Sequence, residues 1–148
     1  MTTKKKAAGW AALCIACVGG FEGLRTVAYR DPVGIPTVCF GETRNVRMGD
    51  RHTTGECQAM LGVRLEEFNE GVNACLRVPL SDTRRAAVVS FSYNVGVGAF
   101  CKSTFARRLN ERDAAACDEL LKWTTAGGIT LPGLVRRRKQ ERQLCMEG

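Results

Sequence analysis

Apolar and polar positions change period several times along the 148-residue chain, and each change marks an element. Ala7 to Phe21, "AAGWAALCIACVGGF", is uncharged throughout and predicts an apolar first segment. The next stretch, "LRTVAYRDPVGIPTVCFGETRNV", sets Asp31-Pro32, Gly34, Pro36 and Gly41 between β-branched and aromatic residues, as a small antiparallel sheet with tight turns would. From Thr53 the period becomes helical. Cys57, Met60, Leu61, Leu65, Phe68 and Val72 recur at three- and four-residue steps behind a Thr53/Glu56 capping box.

Pro79 stops that helix, and Ser81 or Asp82 can cap the next, "TRRAAVVSFSYNV", which Gly96 and Gly98 end. Two shorter helices are predicted in "STFARRLN", with Ser103 as cap, and in "RDAAACDELLKW", with a stripe of Cys117, Leu120 and Leu121. "TAGGITLPG" reads as a loop, and the last helix starts near Pro132, carrying Leu134, Val135, Leu144 and Cys145 among basic residues. The fold class is α+β, mainly helical. A small β-lobe is hinged to a larger helical lobe, with the apolar first helix touching both.

The length fits one domain able to bury its own core, so the cysteines are not needed merely for folding. Eight of them are many for a cytosolic chain and favour an oxidising compartment. Only Cys14 and Cys17 stand two residues apart, and the single histidine, His52, lies elsewhere, so neither zinc nor any other metal is expected. A net charge of +7 favours a polyanionic partner. The dense run Arg136 to Lys139, "RRRK", reads as the solvated face of a helix. "MTTKKK" ahead of the apolar run has the layout of a membrane address, yet the run is shorter than the ~20 residues a spanning helix needs. It reads equally as a weak anchor or as a buried first helix.

Cleaving a glycosidic bond takes one carboxyl that donates a proton and another that stays ionised. Glu22, framed by Gly20, Phe21, Gly23 and Leu24, suits the acid, because partial desolvation favours the protonated form. Asp31, between Arg30 and Pro32 in a turn, suits the anion. Thr37 opens the strand "TVCF", and its hydroxyl can orient a water if that strand folds back beside Asp31. Taken singly, the three also read as a helix-end carboxylate, a turn residue and a β-former.

Together, "FEGLRTVAYRDPVGIPTVCFGET" resembles the catalytic segment of the T4-like phage lysozymes, an endolysin family of glycoside hydrolases patterned as Glu, eight residues, Asp, five residues, Thr. "SFSYNVG" and "LPGLVRRRKQERQL" resemble the family's central and terminal segments, so the likeness runs from about Cys17 to Cys145. It implies a lysozyme-like fold and a muramidase cutting the β-1,4 bond between N-acetylmuramic acid and N-acetylglucosamine in peptidoglycan. Glu22 would be the general acid, Asp31 and Thr37 would position the water, and no cofactor is implied. Where many relatives read "GYGHT" this chain reads "CFGET". Glu42 thus replaces a histidine, and Arg137 or Arg138 is its expected partner.

The cationic start and weak apolar run further resemble signal-arrest-release endolysins. Residues 1–21 would then be a releasable anchor and residues 22–148 the catalytic domain. Such a monomer would act in the periplasm after transient tethering to the inner membrane through residues 7–21; the alternative is a cytoplasmic enzyme released through a holin. The helical map suggests disulfides Cys39–Cys57, Cys75–Cys101 and Cys117–Cys145, one of 15 possible connectivities. Cys14 or Cys17 exchanging into one of them would make release a disulfide switch. Two other classes compete: a cationic membrane-permeabilising protein, and a nucleic-acid binder using "RRRK". Cysteine usage and the lack of a reading motif weigh against the second, and no nucleic-acid partner is expected.

Overall fold

The structure, a computed structural model, describes residues 9–148; the cationic start and the first two residues of the apolar run, Ala7 and Ala8, lie outside the described residues. Helix α1 spans Trp10–Glu22 and leads into an antiparallel pair, β1 (Arg25–Arg30) and β2 (Pro36–Cys39), with Tyr29 opposite Thr37. The long helix α2 (Thr54–Cys75) follows, then α3 (Asp82–Val95), α4 (Val97–Cys101), α5 (Thr104–Asn110), a 3-10 helix (Ala116–Lys122), a two-residue pair β3 (Thr125–Ala126) and β4 (Ile129–Thr130), and α6 (Pro132–Met146).

Local chemistry explains the boundaries. The Thr53 hydroxyl accepts from the Glu56 N–H while the Glu56 carboxylate accepts from the Thr53 N–H, so the capping box starts α2. Ser81 and Ser103 cap α3 and α5 with their hydroxyls alone, accepting from the Arg84 and Ala106 N–H groups, and Pro132 stands in the first turn of α6, where its missing N–H costs nothing.

Two segments differ from their sequence reading. "TAGGITLPG" is a small hairpin, because Gly127 and Gly128 both take positive φ (59° and 80°), which a tight two-residue turn needs. "RDAAACDELLKW" winds as a 3-10 helix, not an α-helix, and is too short to present a long stripe.

Two apolar clusters form the core. One, in the helical lobe, gathers Phe91, Phe100, Phe105 and Trp123 edge to face. The other joins the lobes: Cys14 and Val18 of α1, both fully buried, meet Val38, Phe40, Leu61, Leu65 and Val89. Disulfides Cys39–Cys57, Cys75–Cys101 and Cys117–Cys145 tie β2 to α2, α2 to α4, and the 3-10 helix to α6. These are the pairs the helical map suggests, and each loop is of a length whose closure contributes about 3–4 kcal/mol.

Candidate active site

Glu22 is the last residue of α1, so its position is set by the docking of that helix. Its side chain is 28% exposed, and Oε1 accepts from Arg137 Nη1 at 2.9 Å. Arg137 is itself buried. It donates to the Ser90 carbonyl at 3.1 Å, lies 3.4 Å from Glu141, and stacks its guanidinium 5.0 Å from the centre of the Phe21 ring. Glu141, with no exposed surface, also accepts from the Ser90 hydroxyl at 2.6 Å and from Arg138. Arg138 donates to Asn94 and, at 2.9 Å, to the Trp123 carbonyl, and sits over Phe91.

Two arginines thus face two carboxylates, a balance that buried charges require. This corrects the solvated reading of "RRRK": at about 100° per residue four consecutive residues sweep most of a helix turn, so Arg136 and Lys139 face out while Arg137 and Arg138 face in. It also alters the surroundings expected for Glu22, which meets a guanidinium as well as the apolar Phe21.

Asp31 and Thr37 belong to the β1–β2 hairpin. Asp31 Oδ1 accepts from the N–H groups of Val33 (2.9 Å) and Ile35 (2.8 Å), closing an Asx-type turn, and no partner among the described residues takes Oδ2. Thr37 is buried and its hydroxyl donates to the Ile35 carbonyl at 2.9 Å. The turn that starts at Asp31 therefore fixes both side chains.

A cavity of about 360 Å³ opens beside Glu22, lined by Glu22, Gly41, Arg64, Phe68, Tyr93 and Asn94. Neither Asp31 nor Thr37 lines it. Glu42 is not paired with Arg137 or Arg138. It binds Arg64 of α2, Nε to Oε2 at 2.9 Å, because the Val38–Glu42 turn, closed by two backbone hydrogen bonds, is pinned against α2 by Cys39–Cys57. Cys57 and Arg64 lie seven residues apart on one helix face, so the disulfide that locates the turn also brings Glu42 to the arginine. Sequence reasoning missed Arg64, Asn94, Ser90 and Glu141. The seven-residue step from Cys57 was the one signal for Arg64; the others depend on which helices meet.

Tyr93 donates to the Phe40 carbonyl at 3.1 Å, and burial, with Glu22 and Glu42 nearby, pushes its phenol up to about 12. It stays a donor at neutral pH. Cys14 and Cys17 are free thiols. Burial raises both, and the Cys17 sulfur lies 3.6 Å from the Ser90 hydroxyl, so neither is a ready nucleophile in the folded chain. Among the described residues, no three His, Cys, Asp or Glu side chains gather as a metal site would need.

The family model described as "Phage lysozyme" matches residues 19–141. The chain is 42% identical over 131 residues to a SAR-endolysin of Bacteriophage PS119, covering 87% of this chain and 78% of that one. Among solved structures it resembles the muramidase domain of SpmX from Asticaccaulis excentricus, with TM-score 0.84, 34% identity, and 90% and 94% of the two chains covered. It also resembles a mutant of phage P22 lysozyme, with TM-score 0.85, 31% identity, and 99% of each chain covered.

Proposed function

This chain belongs to the phage lysozyme family and is a peptidoglycan-hydrolysing endolysin, and on that premise we propose that Glu22 is its general acid, with Asp31 and Thr37 positioning the attacking water. The observation that carries the assignment is the placement of Glu22 on the wall of the cavity where the two lobes meet. As the glycosidic bond between N-acetylmuramic acid and N-acetylglucosamine breaks, Glu22 gives its proton to the leaving oxygen. The carboxylate left behind faces Arg137 at 2.9 Å, which holds the group in place and stabilises its charge.

Asp31 spends Oδ1 on its own turn and keeps Oδ2 as an acceptor. The Thr37 hydroxyl, donating to Ile35, keeps its lone pairs as acceptors. Both can take a hydrogen from one water and aim its oxygen at the sugar.

The N-terminal residues have a second role in this reading. Residues 1–21 first hold the chain at the inner membrane, facing the periplasm, and residues 22–148 carry the chemistry. Relatives named SAR-endolysins support it. Among the described residues no helix is long and apolar enough to cross a membrane. The 13 residues of α1 reach about 20 Å at 1.5 Å each, short of a bilayer's ~30 Å core, which suits a weak, releasable hold. Since Cys14 and Val18 lie in the core that joins the lobes, α1 cannot be in lipid and complete the enzyme at once. The tethered chain is therefore inactive.

The test is turbidity loss of purified peptidoglycan. Glu22→Gln is expected to abolish clearing while the protein stays folded, and clearing at the wild-type rate would overturn the catalytic assignment. Products ending in reducing N-acetylmuramic acid separate hydrolysis from lytic transglycosylation.

A further inference from the structure

Arg64 has no role in the chemistry just described, yet it shares the cavity with Glu22. Its side chain is 24% exposed and is held from two sides, Nε to Glu42 at 2.9 Å and Nη1 to Glu67 at 3.2 Å. Glu67 is in turn gripped by Arg44 through two hydrogen bonds of 3.0 and 3.1 Å. Nη2 has no acceptor among the described residues. A guanidinium so fixed and left with a free edge is a directed donor.

We propose that Arg64 is a substrate-recognition residue whose Nη2 donates to the acetamido carbonyl of an N-acetylated sugar seated between α2 and α3. The inference rests on the peptidoglycan-hydrolase reading and assigns one group of that substrate. Charge selects the acceptor. Arg44 and Arg64 stand against Glu42 and Glu67, so the cluster is neutral and has little to offer a carboxylate; a strong uncharged acceptor fits it better.

Shape agrees. Phe68 and Tyr93 meet edge to face, 5.1 Å between centroids, and give the cavity an aromatic wall against which the C–H face of a pyranose can lie. Gly41, at φ 85°, adds no side chain at the mouth. A sugar held there is next to Glu22, hence next to the bond to be cut.

Glu42 on this account is a brace that keeps the guanidinium turned toward the cavity. The test must separate brace from donor. Glu42→Gln keeps an acceptor for Arg64 Nε and leaves Nη2 in place. Arg64→Met removes the donors, and the double variant Glu42→Gln/Arg64→Met removes them without stranding a largely buried carboxylate.

On soluble N-acetylated peptidoglycan fragments, Arg64→Met and the double variant are expected to raise KM about 10- to 100-fold, the worth of a hydrogen bond from a charged donor, with kcat within about threefold. Glu42→Gln is expected to leave KM within about threefold. On the same fragments after de-N-acetylation, wild type and Arg64→Met are expected to converge. An unchanged KM in the double variant, an equal loss in Glu42→Gln, or an undiminished difference on de-N-acetylated fragments would each overturn the proposal. Such a failure leaves the hydrolase reading intact, because that reading is tested separately by Glu22→Gln.

Discussion

Glu22 stands between two regions built in opposite ways. On one side the β1–β2 hairpin holds Asp31 and Thr37 with bonds that span two to four residues: Val33 and Ile35 to Asp31, and Thr37 to Ile35. On the other, α6 reaches Glu22, Ser90 and Asn94 across separations of 115, 47 and 44 residues. The hairpin bonds form within a turn, whatever the rest of the chain does. The α6 bonds exist only in the assembled fold, so they tie the Glu22 end of α1 to the completion of folding. Substitutions in the first region should therefore be read in activity, and those in the second in stability.

The largest effect is expected at Glu141. Replacing it with Ala leaves the buried Arg137 with Glu22 as its one carboxylate and the buried Arg138 with none, and takes from the Ser90 hydroxyl its 2.6 Å acceptor. Removing one partner of a buried charge network costs about 3–5 kcal/mol. Urea unfolding should show that loss, and Glu141→Gln should recover part of it. A change below about 1 kcal/mol in the Ala variant would mean that α6 does not fasten the site as described.

Asp31→Asn is the counterpart on the hairpin side. The amide oxygen can still accept from Val33 and Ile35, so unfolding stability should move by less than about 1 kcal/mol. On the proposed mechanism peptidoglycan clearing should nevertheless fall about 10²- to 10³-fold, since the carboxylate oxygen assigned to orient the water is gone. Lost stability with preserved clearing would invert the contrast between the two regions.

The same contrast explains what could be read before the fold was known. The capping box at Thr53, the helix breaks at Pro79 and Gly96, and the turn at Asp31 are written within a few neighbouring residues. Disulfide pairs could be matched to the helices because each cysteine sits at or near an element end. "RRRK" could not be divided into inward and outward residues without knowing that α3 covers one side of α6. Glu42 was matched to the wrong arginine for a related reason. Its turn lies on α2, and only the Cys39–Cys57 bond together with the seven-residue step to Arg64 says so. The hairpin at Gly127-Gly128 was a nearer miss, since paired glycines between β-formers are themselves a turn signal.

The smallest effect on the folded enzyme is expected where α1 is free of the core, and there the anchoring role can be isolated from the structural one. Gly19 and Gly20 are adjacent but unlike: a Cβ on Gly19 would come within 3.3 Å of the Phe40 ring, while a Cβ on Gly20 would meet nothing within 4 Å. Leucine at position 19 would disturb both the docked helix and its membrane affinity, and the two could not be told apart. Gly20→Leu changes chiefly the second. Its purified, folded form should unfold within about 1 kcal/mol of wild type, with the gain in helix propensity as the main term, and should clear peptidoglycan at the wild-type rate. In cells the added side chain favours the lipid-held state by about 1–3 kcal/mol, so a larger share of the protein should pellet with the inner membrane and lysis should be delayed. Thiol labelling of Cys14 reports the same balance, because Cys14 is fully buried once α1 docks and becomes reactive in undocked chains taken from detergent, whereas Cys17 is only partly buried. If Gly20→Leu is released and lyses cells as quickly as wild type, α1 is a core helix alone and the anchoring role of residues 1–21 falls.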